Sequence, residues 1–184
     1  MRKLLTGAAY HGCRMLHHVE HDMRDMAANH MNLVVHMMSH NDWNRHYRVM
    51  QDIVAMSKDA GLEVWMDNWG LGGPPGEVSH FLAYHPEAHQ IHSNGWMDPT
   101  RVCMNAPSFR AFMHEWIDAV AGTGAETIFW DEPHLPLEAD GSYSCACPLC
   151  RKKFEEKYNR PMPEKIDDDV TGFRLDTVVD FFTD

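Results

Sequence analysis

The sequence predicts an α/β fold, the first half of a TIM-type (β/α)8 barrel with about four βα units, and two observations carry this reading. Short apolar runs of β character alternate with longer segments of helical periodicity, the pattern of a parallel sheet with helical crossovers. The chain has 184 residues, 44% of them hydrophobic, enough for one core. A complete barrel takes about 250 residues. The chain is therefore read as a single partial barrel domain over 1–184, truncated after the fourth unit.

The elements follow in order. Residues 4–10 read as the first strand. Val19, Met23, Met26 and Ala27 recur at helical spacing and define an amphipathic helix over about 18–30. Residues 32–37 form a buried-type strand. Asn41 or Asp42 caps the next helix, which carries Tyr47, Met50, Ile53 and Val54 on one face, and Gly61 stops it. Residues 62–67 are the third strand. A long loop runs from Asn68 to about Ala106, opening with Gly70-Leu71-Gly72-Gly73-Pro74-Pro75-Gly76; loops of this length inside a domain are usually functional. Asn105 as cap and Pro107 in the first turn start a third helix to about Ala121. Residues 127–130 are the fourth strand, and helices near 151–158 and 169–182 close the chain. Four such units fit either a small open doubly wound sheet or half of a barrel. No Gly-rich phosphate loop follows the first strand, which weakens a nucleotide-binding version.

Composition narrows the partners. The net charge is −11 with His neutral, which argues against nucleic acid because a phosphate backbone demands a basic face. No apolar run approaches the roughly 20 residues of a membrane span, so no membrane association is expected. Of five cysteines, three fall within Cys145–Cys150. That is metal-like spacing rather than a secreted disulfide framework, and it implies a reducing compartment, the cytoplasm. A half barrel leaves two sheet edges and apolar helix faces open, so self-association into a homo-oligomer is expected.

Three groups of residues carry chemistry. In Cys145-Ala146-Cys147-Pro148-Leu149-Cys150 the thiolates can converge on one soft cation, and tetrahedral zinc takes four such ligands. Cys103, just before the third helix, is the candidate fourth ligand, with Cys13 in reserve. Four thiolates leave no position for water, so the zinc would be structural; ordinary reduced loop cysteines are the plainer alternative. The second group is Phe129-Trp130-Asp131-Glu132-Pro133-His134, where two carboxylates end an apolar strand. In a barrel the C-terminal strand ends hold the active site, and a Trp-lined mouth raises a carboxyl pKa toward that of a proton donor. Asp131 and Glu132 are adjacent and point to opposite faces of a strand, so they are not each other's catalytic partner. The third group lies at the other strand ends: Tyr10 and His11, His36, and Trp65, Asp67, Asn68 and Trp69. With His134 they form a candidate carbohydrate-binding set, since Trp faces stack on sugar rings and Asp, Asn and His bind hydroxyls. Packing is the plainer account of each residue taken singly. His17, His18 and His21 complete no recognised metal pattern and read as surface histidines.

These pieces together resemble the zinc-containing β-galactosidases of glycoside hydrolase family 42. The likeness is carried by His85-Pro86-Glu87 with Gly95, by the Arg101–Arg110 stretch that contains Cys103, and by Cys145, Cys147 and Cys150 followed by Arg151-Lys152-Lys153-Phe154. The resemblance implies a (β/α)8 barrel, a retaining mechanism and Cys103 as the fourth zinc ligand. It places Glu132 where the family keeps its acid/base, with the nucleophile on strand seven, beyond this chain. Asp131 stands where the family has Asn, and His36 stands where it has an Arg near the end of strand two. Looser relatives use a strand-four Asp as nucleophile, a role that would fall to Asp131. Two functions follow: a retaining glycosidase acting in the longer protein, or a non-catalytic, zinc-braced carbohydrate-binding or assembly domain.

Overall fold

The computed structural model describes residues 4–11, 13–73, 79–131 and 135–184. Along the chain run β1 (Gly7–Tyr10), α1 (Leu16–Ala28), β2 (Leu33–Met37), α2 (His40–Asp59), β3 (Glu63–Asp67), α3 (Phe81–Tyr84), a 3-10 turn (Pro86–Ala88), β4 (His89–Ile91), β5 (Met97–Val102), α4 (Pro107–Thr123), β6 (Thr127–Phe129), α5 (Pro148–Tyr158) and α6 (Asp168–Thr183). They divide into two compact units, Met1–Leu71 with Glu115–Asp131, and Gly72–His114 with Glu132–Asp184.

The first unit holds a four-stranded, all-parallel sheet in the order β1-β2-β3-β6. Its helices lie on one face. Tyr10 and His36 are register partners and so share a face. The Tyr10 hydroxyl donates to Asp22 of α1 at 2.6 Å, and the His36 ring reaches Ser57 of α2 at 2.8 Å. The Tyr47 hydroxyl then ties α2 to α4 through the Ala119 carbonyl at 2.9 Å. A doubly wound sheet reverses its strand order and carries helices on both faces. A sequential order with helices on one side is winding of the barrel type. The fold is thus α/β, compatible with a partial TIM-type barrel, as expected. Val34, His36, Val64 and Met66 are buried against the helices, while Val35 and Trp65 on the other face are half-buried and Phe129 is 43% exposed.

Local chemistry sets the boundaries. β1 begins at Gly7 rather than residue 4, because the Asn32 side chain takes the Thr6 N–H at 3.0 Å and gives its amide to the Leu4 carbonyl at 2.9 Å. Gly7 is required there: a Cβ would stand 2.2 Å from the Leu33 carbonyl oxygen. The cap of α2 is Ser39, not Asn41 or Asp42; Asp42 sits at N3 and closes a capping box with Ser39. Gly61 ends that helix at φ +87°, as its position in the sequence predicts.

The second unit replaces the long loop expected after Asn68. β4 and β5 pair antiparallel around a tight turn in which the His92 N–H bonds the Trp96 carbonyl at 2.8 Å. A three-residue strand is too short to leave a readable period. The chain from Tyr143 to Ala146 is stitched onto this ribbon: the Ser93 N–H donates to the Tyr143 carbonyl at 2.8 Å and the Ala146 N–H to the Ile91 carbonyl at 2.6 Å. Phe81 packs on Phe109 and Phe112, and Phe154 on Phe173. Asp167 caps α6 by accepting the Val170 N–H at 2.8 Å. Among the described residues, no helix is long and apolar enough to cross a membrane.

Candidate functional site

A parallel sheet brings the C-terminal ends of all its strands to one edge, and several predicted residues meet there. The His11 ring stands edge-on to Trp69 at 4.9 Å. The Asn68 side-chain oxygen accepts the Asp131 backbone N–H at 3.0 Å, fixing the chain just past β6. Asp67 pairs in register with Phe129, the last residue of β6, and Asp131 follows two residues beyond that strand end, close enough for its charge to act on Asp67. Asp67 is 3% exposed, and its Oδ1 has no hydrogen-bond partner among the described residues. Burial, with the nearby charge of Asp131 adding to it, pushes the Asp67 carboxyl up to about 7. A neutral acid of this kind can donate a hydrogen bond at physiological pH, which an ordinary carboxylate cannot. Trp65 lies lower on the same face, its ring N–H held by Glu63 at 2.9 Å. Glu132 and His134 lie outside the described residues.

Tyr10 and His36 do not join this edge group. Both side chains turn to the helix layer, because their register puts them on that face. The Ser57 hydroxyl donates to the Ile53 carbonyl, so it accepts from His36 Nε2–H and leaves His36 Nδ1 as a buried acceptor with no partner among the described residues. Burial, with the charge of Arg14 adding to it, lowers the His36 pKa to about 4, and the imidazole is neutral at physiological pH. The charged group at the end of β2 is instead Arg14, from the β1–α1 loop. It forms a two-pronged pair with Asp42 at 2.7 and 2.8 Å and donates to the Met37 carbonyl at 2.9 Å. Burial alone would raise the Asp42 pKa, but the Arg14 hydrogen bonds and charge and the Ser39 bonds hold it below its usual value. No spacing motif marks Arg14 in the sequence.

The Asp67 carboxyl gives a stability prediction with a definite sign. Its pKa is raised, so between about pH 4 and pH 7 the folded chain binds more protons than the unfolded one. Stability is then full below about pH 4 and falls as pH rises toward 7. Asp67→Asn is expected to gain about 1–2 kcal/mol over the parent at pH 8, allowing for solvent screening, and almost nothing at pH 4. Urea melts at the two pH values measure it; equal differences at both would exclude a buried ionisation.

In the second unit Cys103, Cys145, Cys147 and Cys150 are all buried, and their sulfurs lie within 4.8 Å of one another. Cys103 Sγ is 3.7 Å from Cys147 Sγ and 3.5 Å from Cys150 Sγ. No disulfide joins them. Cys103 follows β5, with its N–H on the Ala88 carbonyl at 2.7 Å. Cys147 caps α5, where Pro148 fixes the first turn, and this brings Cys150 round to the same point. Gln90 bridges the two segments, donating to the Val102 carbonyl at 3.0 Å and accepting from the Ser144 hydroxyl at 2.5 Å. Arg151 and Arg174 hold the Ala146 and Ser144 carbonyls. Hydrogen bonding from Cys103, then Cys145 and Cys150, drives the Cys147 thiol far down; the Cys103 and Cys150 thiols rise in return. Four buried cysteines so arranged can bind a metal ion. Cys13 belongs to the other unit and bonds the Met15 N–H at 3.3 Å.

Comparison with known proteins adds fold information. No protein-family profile and no curated protein matches the chain. Among solved structures it is similar to a family 20 exo-β-N-acetylglucosaminidase of Vibrio harveyi, solved with N-acetylglucosamine. The TM-score is 0.55 at 10% identity, over 84% of this chain and 30% of that one. It also aligns with a family 36 α-galactosidase of Geobacillus stearothermophilus, solved with stachyose, at a TM-score of 0.48 and 16% identity, over 62% of this chain and 18% of that one. The chain therefore spans less than a third of either enzyme, and the Vibrio alignment establishes a likeness of fold with part of a glycoside hydrolase.

Proposed function

We propose that this chain is the zinc-braced N-terminal part of a glycoside hydrolase barrel, β-galactosidase-like in the manner of family 42, that binds carbohydrate at the C-terminal edge of its parallel sheet. The observation that carries the reading is the edge group itself. Two carboxyls at neighbouring strand ends, Asp67 and Asp131, stand with His11, Asn68 and Trp69 beside them, and the Asp67 carboxyl is pushed up to about 7, so that both its protonated and ionised forms are present near neutral pH. Glycoside cleavage requires carboxyl groups with distinct protonation roles. Glu132, directly after Asp131 in the chain, is assigned the acid/base, with the nucleophile supplied beyond this chain and retention as the outcome. Asp67, which can donate when protonated and accept when ionised, would bind sugar hydroxyls together with Asn68, and Trp69 would carry a ring face.

The same reading assigns zinc to the four cysteines. The donor set is soft and all sulfur. A tetrahedral site with Zn–S bonds of about 2.3 Å has sulfur–sulfur edges of about 3.8 Å, close to the two distances given above. With four protein ligands the metal has a structural role: it holds the β4–β5 ribbon to α5 and takes no part in the reaction.

Binding tests the carbohydrate assignment. Tryptophan emission of the chain is expected to change on titration with galactosides or N-acetylglucosaminides. Trp69→Ala should weaken that binding about tenfold, the value of one lost stacking contact of about 1.4 kcal/mol. Silence with every saccharide, or equal affinity in the variant, would remove sugar from this edge.

A further inference from the structure

The metal reading leaves one buried side chain unexplained. Asn105 is 4% exposed and precedes α4, where its sequence position predicts a helix cap. The structure uses it otherwise. Its Nδ2 donates to Cys150 Sγ at 3.4 Å and to Thr177 Oγ1 at 3.3 Å, and its Oδ1 accepts from Lys153 Nζ at 2.8 Å. The carbonyl that would cap α4 is thus occupied by an ammonium group. Chemistry also fixes the orientation of the amide. Reversed, its NH2 would face the Lys153 ammonium, donor against donor.

The surroundings give this arrangement a purpose. A groove of about 470 Å3 between α5 and α6 is lined by Asn105, Lys153, Lys157, Phe173, Asp176 and Thr177, among others. Cys150 is 1% exposed, and Asn105 forms part of the layer between it and that groove. Four thiolates around a divalent ion carry a net charge of −2. An N–H donor on one sulfur and an ammonium beyond it offset that charge and make the thiolate a poorer target for protons, chelators and electrophiles.

We propose that Asn105, pinned by Lys153, is an outer lock on the metal centre, holding the Cys150 thiolate in the first shell and slowing metal release through the α5–α6 groove. The inference rests on the metal reading, and the experiment separates the two. Metal is first quantified in the purified parent protein; a parent without metal overturns the metal reading and the lock with it. On metal-loaded protein, transfer to a chromophoric chelator in excess is then timed. Asn105→Leu keeps the volume, loses the N–H, and should bind metal about 10–100-fold more weakly. Asn105→Asp separates the lock from packing: it keeps the size and an acceptor for Lys153 but sets a carboxylate against a thiolate, so it should lose metal faster still. Lys153→Met should show a smaller loss, which Lys153→Arg restores. In cobalt-substituted protein the sulfur-to-cobalt charge-transfer bands should shift in Asn105→Leu, a change that looser packing alone would not produce. Release within twofold of the parent in both Asn105→Leu and Asn105→Asp, with unmoved cobalt bands, would overturn the lock. Should Asn105→Leu fail to fold, the paired Lys153 variants decide by the same criterion.

Discussion

Stripping the metal from Cys103, Cys145, Cys147 and Cys150, or replacing Cys147 and Cys150 with Ser, is expected to unfold most of the second unit. The reason is one of scale. Structural zinc sites in small peptides contribute about 10–16 kcal/mol of apparent binding energy at neutral pH, while a whole domain is stable by only about 5–15 kcal/mol. The second unit has little to set against such a loss. Its sheet is a two-stranded ribbon with one strand of three residues, below the size at which hairpins are stable alone. Without the ion, four buried sulfurs within 4.8 Å of one another are left with weak S–H contacts in place of metal–sulfur bonds. Metal analysis should find one zinc per chain in the parent and none in the double variant. Near-UV dichroism and protection of the α5 amides should be lost together. A metal-free chain that melts as cooperatively as the parent would show that the cysteines are simply core residues.

Replacing Glu132 with Gln in the protein that carries this chain is expected to lower turnover of unactivated glycosides about 10²–10⁴-fold, the usual contribution of a general acid. Aryl glycosides with good leaving groups should suffer less in the first step, because they need less protonation in the transition state. Asp131→Asn is expected to be milder, since the proposed role of Asp131 is that of a supporting group, and its place is fixed through its backbone by Asn68. Kinetics of the two variants on matched substrates decide the assignment. A dead Asp131→Asn beside an unaffected Glu132→Gln would make Asp131 the nucleophile. A parent that binds saccharides and turns none over would favour the non-catalytic binding domain.

What was legible in the sequence was whatever local chemistry repeats at short range. β2, β3 and the long helices announce themselves by period, and three of the four clustered cysteines by spacing. Cys103 was reachable because it lies at a loop-to-helix junction, although 44 residues separate it from Cys147. The β4–β5 ribbon was hidden by its shortness. Tyr10 and His36 stand at strand ends, but strand-end position says nothing of face; only the register of β1 on β2, with their bonds to Asp22 and Ser57, reveals that both turn inward to the helices. Arg14 and Asn105 were invisible as functional residues for another reason. Each is defined by partners 23 to 72 positions away, and no short window of sequence contains such a pair.

The one-way winding of the parallel sheet has a consequence for how such a protein can grow. Because β1, β2, β3 and β6 follow in order with their helices on one side, nothing already built must be threaded or reopened to add another unit. A further strand would lay its backbone along the outer edge of β6, where the ladder is unpaired among the described residues, and its helix would settle beside α4. The C-terminal end of each added strand would then arrive at the same rim. Accretion in this sense enlarges the candidate site and the barrel together, with each new βα unit bringing one more side chain to the mouth.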